Sequence, residues 1–282
     1  MASQQGIKRR IKSVSNTRQI TKAMQMVAAS KLRKAQEKSI GPKAYIDAAG
    51  DLLENLGSTS EAQYNPLFQR RKIKTGLVIA ITSNKGLAGA YNANVLRALN
   101  KFAIDNKVDQ KVICVGRYVA MHVARVKGLD ELAAYDADTG LEGITTAQPI
   151  LEQAIEQFID GHVDTVTLIY TKYISTVKQE VSIEQLLPLN AKSAQQTGMS
   201  FEPEPDVLLD LVVKRLLEAK VLQAILESQA SEQASRMLAM QNATDNAKDL
   251  IDDLNLVYNN ARQSAITQEI AEITSGTEAM NG

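Results

Sequence analysis

The sequence predicts an α/β protein in which long N- and C-terminal helices form an antiparallel, left-handed coiled coil and a Rossmann-like α/β domain lies between them. Three observations carry this. The 70 residues from Asp206 to Ser275 contain neither Gly nor Pro, in a chain of 282 residues that holds 15 Gly and 6 Pro. Breakers are therefore excluded over a stretch that would reach about 105 Å as one helix. Ile7 to Ile40 is equally free of both, and between these ends apolar runs alternate with helical patterns, as in a sheet covered by helices. A hydrophobic share of 44% suffices for a packed core, while 4% aromatics and no Trp favour long helices over an all-β sandwich. The expected divisions are residues 1–57, 58–205 and 206–282.

In the first segment Ile7, Ile11 and Val14 begin an apolar stripe that Ile20, Met24, Val27 and Leu32 continue after a shift in phase. Gly41-Pro42 should break that helix, and "KAYIDAAGDLLENLG" offers a further helical stretch to Gly57. The middle opens with a strand, "TGLVIAITS", then a glycine loop, then the helix "NANVLRALNKFA" with Asn92 as N-cap. "KVICVG" and "DTVTLIYTKY" read as buried strands separated by helical "QPILEQAIEQFI", and "VKQEVSIEQLLPL" as an edge strand. "EPEPD" places Pro205 where the last helix can begin, and Gly276 suits a left-handed cap at its end.

From Leu208, alternating steps of four and three pick out a mostly apolar seam that runs through Met240, Ala243, Ala247, Leu250, Leu254, Val257 and Ala261 to Ala271. A sustained repeat of 3.5 residues means a face that coils left-handedly around another helix. Gln229, Gln233 and Arg236 interrupt the seam, and either fix register or face a different partner. The N-terminal helix is the obvious mate. It enters the middle domain at its C-terminal end, whereas the last helix leaves at its N-terminal end, so they pair antiparallel.

Formal net charge is zero, but Met1 to Lys43 carries eleven basic residues against one acid, and Glu204 to the end carries thirteen acids against six bases. The two ends attract. A basic arm could also meet nucleic acid, yet it has no aromatics and no binding motif follows it, so no nucleic-acid partner is expected. Cys114 is the only cysteine, set among valine and isoleucine, and should be a buried, inert thiol. His122 and His162 are far apart and expected at the surface, with no metal-ligand spacing. No apolar run approaches a membrane span and the basic start lacks a secretory apolar region, so the chain reads as soluble in a reducing compartment.

The loop "SNKGLAGAYN" sits between strand and helix, where a phosphate cradle would be placed. Gly86-x-x-Gly89 matches neither the P-loop nor the dinucleotide fingerprint, and tight-turn glycines are the better reading. No Ser-His-acid, Cys-His or H-E-x-x-H arrangement can be assembled, so the chain is not expected to be an enzyme by itself or to hold a cofactor or metal.

Four segments, "RIKSVSNTRQITKAMQMVAASKLRKA", "ITSNKGLAGAYN", "FEPEPD" and "SEQASRMLAMQNATDNAKDLIDDLNLVYNNARQSAITQEIAEI", resemble the gamma subunits of rotary (F-type) ATP synthases. The resemblance is strong at both ends and looser in the middle. It implies a central rotor shaft that couples rotation of a membrane c ring to conformational cycling of three catalytic sites on beta subunits. Implied partners are three alpha and three beta subunits, the epsilon subunit and the c ring. The implied location is peripheral, at the cytoplasmic face of a bacterial plasma membrane. Carried over residue by residue, Lys22, Met24, Lys31, Arg33, Arg236, Gln263, Thr267 and Glu269 would contact the catalytic ring, and Glu202 would lie near the c ring. Ala261, Ala265, Ile266 and Ile270 would turn within an apolar collar. Ala88 stands where relatives often have cysteine, and a dithiol insertion is absent. The competing readings are a static coiled-coil scaffold or tether, and a nucleotide-binding domain around Gly86.

Overall fold

The structure, a computed structural model, describes residues 4–56, 65–137, 143–189 and 205–281. Helix α1 spans Gln4–Leu56 and helix α5 spans Pro205–Asn281. The chain divides into two compact units, one of Ala28–Arg236 and one of Met1–Val27 with Met237–Gly282.

The larger unit is built on a five-stranded sheet of order β3-β2-β1-β4-β5. Its strands are β1 (Thr75–Ile81), β2 (Asp109–Val115), β3 (Leu129–Tyr135), β4 (Thr165–Tyr173) and β5 (Gln179–Leu187). The first four are parallel, and β5 pairs antiparallel with β4 at the edge. Three helices accompany them: α2 (Tyr91–Asn106), α3 (Arg117–Val123) and α4 (Gly143–Ile159).

β1 is apolar without alternation because both of its faces are covered. Leu77, Ile79 and Ile81 join Ile113, Val115, Val166 and Leu168 in one core, closed by Ile150, Leu151 and Phe158 of α4 and by Val213, Leu217, Val221 and Ile225 of α5. Val78 and Ala80 point the other way, and with Val112, Cys114 and Ile169 they pack under Val95 and Leu99 of α2 and Val119 and Val123 of α3. Cys114 is fully buried, as expected, and His162 is exposed whereas His122 is half-buried on Asn100.

Several sequence expectations need correction here. Strand β3, "LDELAAY", carries no apolar run because only Leu129 of it is fully buried, and α3 is too short for a readable period. Asn92 does not cap α2. Ala90 holds the cap position, and Asn92, one residue inside the helix, accepts from the Ser83 backbone N–H (3.0 Å) and donates through Nδ2 to the Ser83 hydroxyl (2.8 Å). Gly41-Pro42 does not end α1, which runs through both. Proline removes one intrahelical bond, but its usual clash with the preceding Cβ vanishes when that residue is glycine, and apart from its two chain neighbours an added Cβ at Gly41 would meet nothing within 4 Å. Gly276 likewise lies inside α5, which continues to Asn281.

In this unit α1 and α5 run antiparallel. Tyr45 shares a cavity with Arg215, Glu218, Ala219 and Leu222, whereas Arg33, Gln36 and Ile40 share one with Gln223, Glu227 and Ala230. Ala28, Leu32, Ala35 and Ala49 of α1 are buried and Ser39, Pro42 and Ile46 half-buried, which together make unbroken steps of four and three. Pro42 is thus a seam residue.

In the smaller unit the same repeat occupies Ile7, Ile11, Val14, Arg18 and Thr21 of α1. The phase shift inferred from Ile20 and Val27 is not there: these are 61% and 56% exposed, and the seam holds Arg18 and Thr21 instead. On α5 the inward positions are Met240, Thr244, Ala247, Ile251, Leu254, Tyr258 and Ala261, so alternate seam positions fall one residue later than the expected Ala243, Leu250 and Val257. Adjacent apolar pairs such as Leu250-Ile251 satisfy both registers, and at 243–244 the inward residue is the polar Thr244. Opposite charge does not join the helices directly either. Among the described residues of this unit, no ion pair within 4 Å links α1 to α5.

Candidate functional site

The loop between β1 and α2 is fastened from three sides within the larger unit. Asn84 Oδ1 accepts from the backbone N–H groups of Arg117 (3.1 Å) and Ala137 (3.4 Å), and its amide donates to Asp136, which stitches together the loops after β1, β2 and β3. Tyr118 of α3 places its hydroxyl 2.7 Å from where a Cβ of residue 86 would stand, so Gly86 makes room for it. On the third side Arg236 of α5 donates through Nη2 to the carbonyl oxygens of Lys85 and Gly86, each at 3.2 Å.

Arg236 is only 9% exposed, and its Nη1 lies 2.6 Å from Glu232 Oε1. A buried guanidinium without a carboxylate would be severely destabilising, and the pairing offsets this. Nearby, Tyr91 is buried. Burial and the Glu232 charge push its pKa well up, so it stays neutral and can donate. Gln229 Nε2 donates to Ala137 O at 3.2 Å. The polar residues that interrupt the α5 seam at 229 and 236 therefore face the sheet's loops, the second of the two options the sequence left open.

This arrangement bears on nucleotide binding. A phosphate cradle turns backbone N–H groups toward an empty hollow. Here the Ser83 N–H is spent on Asn92, and the loop turns two carbonyls toward a guanidinium. Asn84 and Arg236 fill the space themselves. Among the described residues there is no group of three or more His, Cys, Asp or Glu that could hold a metal, and no helix long and apolar enough to cross a membrane.

The other residues singled out in the sequence lie on helix surfaces. Lys22 is exposed, with Nζ donating to Gln25 Oε1 at 3.2 Å, and Met24 is half-buried. Lys31 is exposed, and Arg33 pairs with Glu37 at 3.0 Å in a solvated i,i+4 bridge. Gln263, Thr267 and Glu269 are exposed on α5, where the Thr267 hydroxyl donates to Gln263 O at 2.9 Å. Ala265, Ile266 and Ile270 are exposed and Ala261 half-buried. Glu202 lies outside the described residues. The structure thus gathers Gln263 to Ile270 on one stretch of α5 and places Lys31, Arg33 and Arg236 in the other unit.

Sequence reasoning missed the end of cover on α5. Thr21 faces Thr244, so Gln4, seventeen residues before Thr21, comes opposite Ala261, seventeen residues after Thr244. Past that point α5 continues unpaired within its unit: every residue from Arg262 to Thr277 is exposed, including Ile266, Ile270 and Ile273.

The family described as ATP synthase matches residues 3–280. The chain is 40% identical to the ATP synthase gamma chain of Cupriavidus necator, over 99% of this chain and 100% of the relative, and 39% identical to that of Opitutus terrae, over 98% of each. A central stalk/c-ring structure of the Tetrahymena thermophila mitochondrial ATP synthase is similar with a TM-score of 0.64 at 30% identity, over 79% of this chain and 99% of that one. A Euglena gracilis mitochondrial ATP synthase structure gives 0.68 at 19% identity, over 98% and 94%, a likeness of fold. This chain belongs to the ATP synthase gamma-chain family.

Proposed function

We infer that the chain is the central rotor shaft of a proton-translocating ATP synthase, turning inside a ring of three alpha and three beta subunits while its α/β unit joins the epsilon subunit and the c ring. It carries no catalytic site of its own and couples c-ring rotation to ATP synthesis or hydrolysis on the beta subunits. It works at the cytoplasmic face of a bacterial plasma membrane, held there through the complex.

The observation that carries this reading is the unpaired end of α5. Sixteen residues of helix exposed on every face, with isoleucines at 266, 270 and 273, have nothing among the described residues of their own unit to cover them. An encircling apolar collar formed with Ala261, Ala265, Ile266 and Ile270 would cover them without gripping one face. Gln263, Thr267 and Glu269 within the same stretch, and Lys22, Met24, Lys31 and Arg33 on α1, supply the rotor–stator contacts, with Arg236 the buried member of the set and Glu202 placed near the c ring. Exposed ion pairs suit contacts that must break on each turn, being worth about 0–1 kcal/mol apiece.

A reversible crosslink decides between shaft and static tether. A cysteine replacing Lys22 is disulfide-bonded to one introduced on a beta subunit, and the native Cys114, buried and with its thiol pKa pushed up to about 12, does not compete. A shaft predicts that ATP turnover stops on oxidation and returns on reduction. Turnover that continues through the crosslink identifies a tether.

A further inference from the structure

We propose that Arg236 is a positioning residue that acts from inside the chain, holding the β1–α2 loop and its exposed Leu87 in the one geometry that the shaft presents to the ring around it. The proposal rests on the rotor reading.

The loop needs an external hold. Leu87 has φ 60° and Gly89 φ 55°, and for a leucine this left-handed backbone is unfavourable. The side chain gains nothing by it within the chain, because Leu87 is 63% exposed. A strained backbone that displays an apolar side chain persists only where its surroundings over-determine it.

Those surroundings converge on the two residues just before it. The Lys85 carbonyl accepts from the Ser83 hydroxyl at 2.8 Å and from Arg236 at 3.2 Å, the Gly86 carbonyl accepts from the same Nη2, and the Tyr118 hydroxyl closes the remaining side of Gly86. At the far end of the loop the Tyr91 N–H donates to Ala88 O.

The guanidinium has little left to offer a partner. It is 89% shielded, its charge is matched by Glu232 and one nitrogen is shared between two carbonyls. What it contributes is rigidity, and at a useful place: Arg236 is the last residue of the larger unit, so torque borne along α5 passes the point where the loop is fastened. Loosening this clamp would let Leu87 relax while leaving both sheet cores intact.

The test uses the assembled complex, with Arg236→Ala, Arg236→Lys and, as an independent way of freeing the Lys85 carbonyl, Ser83→Ala. Protons pumped per ATP hydrolysed are measured on unlabelled protein, and a nitroxide on Leu87→Cys reports loop mobility in parallel samples. Arg236→Ala is expected to sharpen the nitroxide spectrum and to lower the pumping ratio by about threefold or more. Arg236→Lys, which keeps a donor and the ion pair, should restore most of both, and Ser83→Ala should reproduce both in milder form. A lower ratio with an unchanged nitroxide spectrum would overturn the proposal in favour of direct contact between Arg236 and the ring. A mobile label with undiminished pumping would overturn it as well. If Arg236→Ala does not fold, Ser83→Ala and Arg236→Lys decide by the same two readouts. Failure of the unaltered chain to enter the complex would instead count against the shaft reading itself.

Discussion

Thr21 and Thr244 meet hydroxyl to hydroxyl at 2.8 Å across the seam of the helix pair. Each hydroxyl also has a carbonyl of its own helix in reach, Arg18 O at 3.0 Å and Met240 O at 2.7 Å. Two protons serve three links, so the cross-helix bond forms with either residue as donor while one helical carbonyl is released. Such a pair fixes register, because sliding either helix by one position leaves a hydroxyl buried against an apolar neighbour. Thr21→Val should cost about 1 kcal/mol in chemical denaturation of the purified chain, and Thr21→Val with Thr244→Val less than the sum of the singles. Strict additivity would mean that the hydroxyls do not interact.

Gly41 and Pro42 give a second cycle. Pro42→Ala restores the missing bond inside α1 and should stabilise by about 1–3 kcal/mol. Gly41→Ala alone should gain little, because the new Cβ would meet the proline ring, but about 1 kcal/mol more once Pro42 is alanine. Helical content and unfolding midpoints of the four chains check this. Equal gains from Gly41→Ala in both backgrounds would remove the explanation given for an uninterrupted helix.

Much of the architecture was legible because its signals are long. A breaker-free stretch of 70 residues or a run such as "TGLVIAI" admits few alternatives. Less legible were features that depend on which of two adjacent residues faces inward. Ile20 and Val27 look like core yet are exposed, whereas Arg18, Thr21 and Pro42 look like surface or breaks yet sit in the seam. Polar side chains in a seam are satisfied by partners far away in sequence, as Thr21 is by Thr244, and no local pattern reveals such a partner. Arg236 was visible as an interruption, but its attachment to Lys85 and Gly86, some 150 residues earlier, was not.

Two glycines with positive φ separate steric from conformational cost. At Gly116, φ 98°, an added Cβ would overlap the Thr82 carbonyl, its carbon only 2.8 Å away, so backbone must shift. At Gly128, φ 92°, a Cβ would meet nothing within 4 Å. Gly116→Ala should therefore destabilise by about 3 kcal/mol or more, and Gly128→Ala by only about 1–2. Urea midpoints of the two variants decide, and similar losses would mean that strain in φ alone sets both.

The buried thiol sets an alkaline limit. Burial, with a smaller part from the Glu131 charge, raises the Cys114 pKa from 9.0 to about 12. With the folded value above the unfolded one, the stability tied to the neutral thiol is complete below about pH 9 and drains away as pH climbs toward 12. Tyr170, raised by burial and by Glu227 and Glu184 from 10.0 to about 12, acts in the same direction but begins later. Between pH 9 and 10 the unfolding free energy should fall by about 1 kcal/mol more in the native chain than in Cys114→Ala. Parallel slopes would show that the thiol ionises as easily folded as unfolded.

The unpaired end of α5 allows assembly to be separated from folding. Ile266 is 47% exposed and Ile270 59%, and neither touches another helix of its unit, so Ile266→Asp and Ile270→Asp should leave the isolated chain within about 0.5 kcal/mol of its native stability. Inside an apolar collar the same carboxylates would be stripped of water with no partner, which disfavours the assembled state by several kcal/mol. Rotation makes that penalty recur at every angle, because a collar surrounding the helix offers no polar side to turn toward. The expected result is a chain that folds and melts normally but enters the complex poorly, or enters it and turns over ATP slowly, while Ile266→Leu behaves as the native chain. Normal assembly and turnover with both aspartates present would show that this segment turns in water.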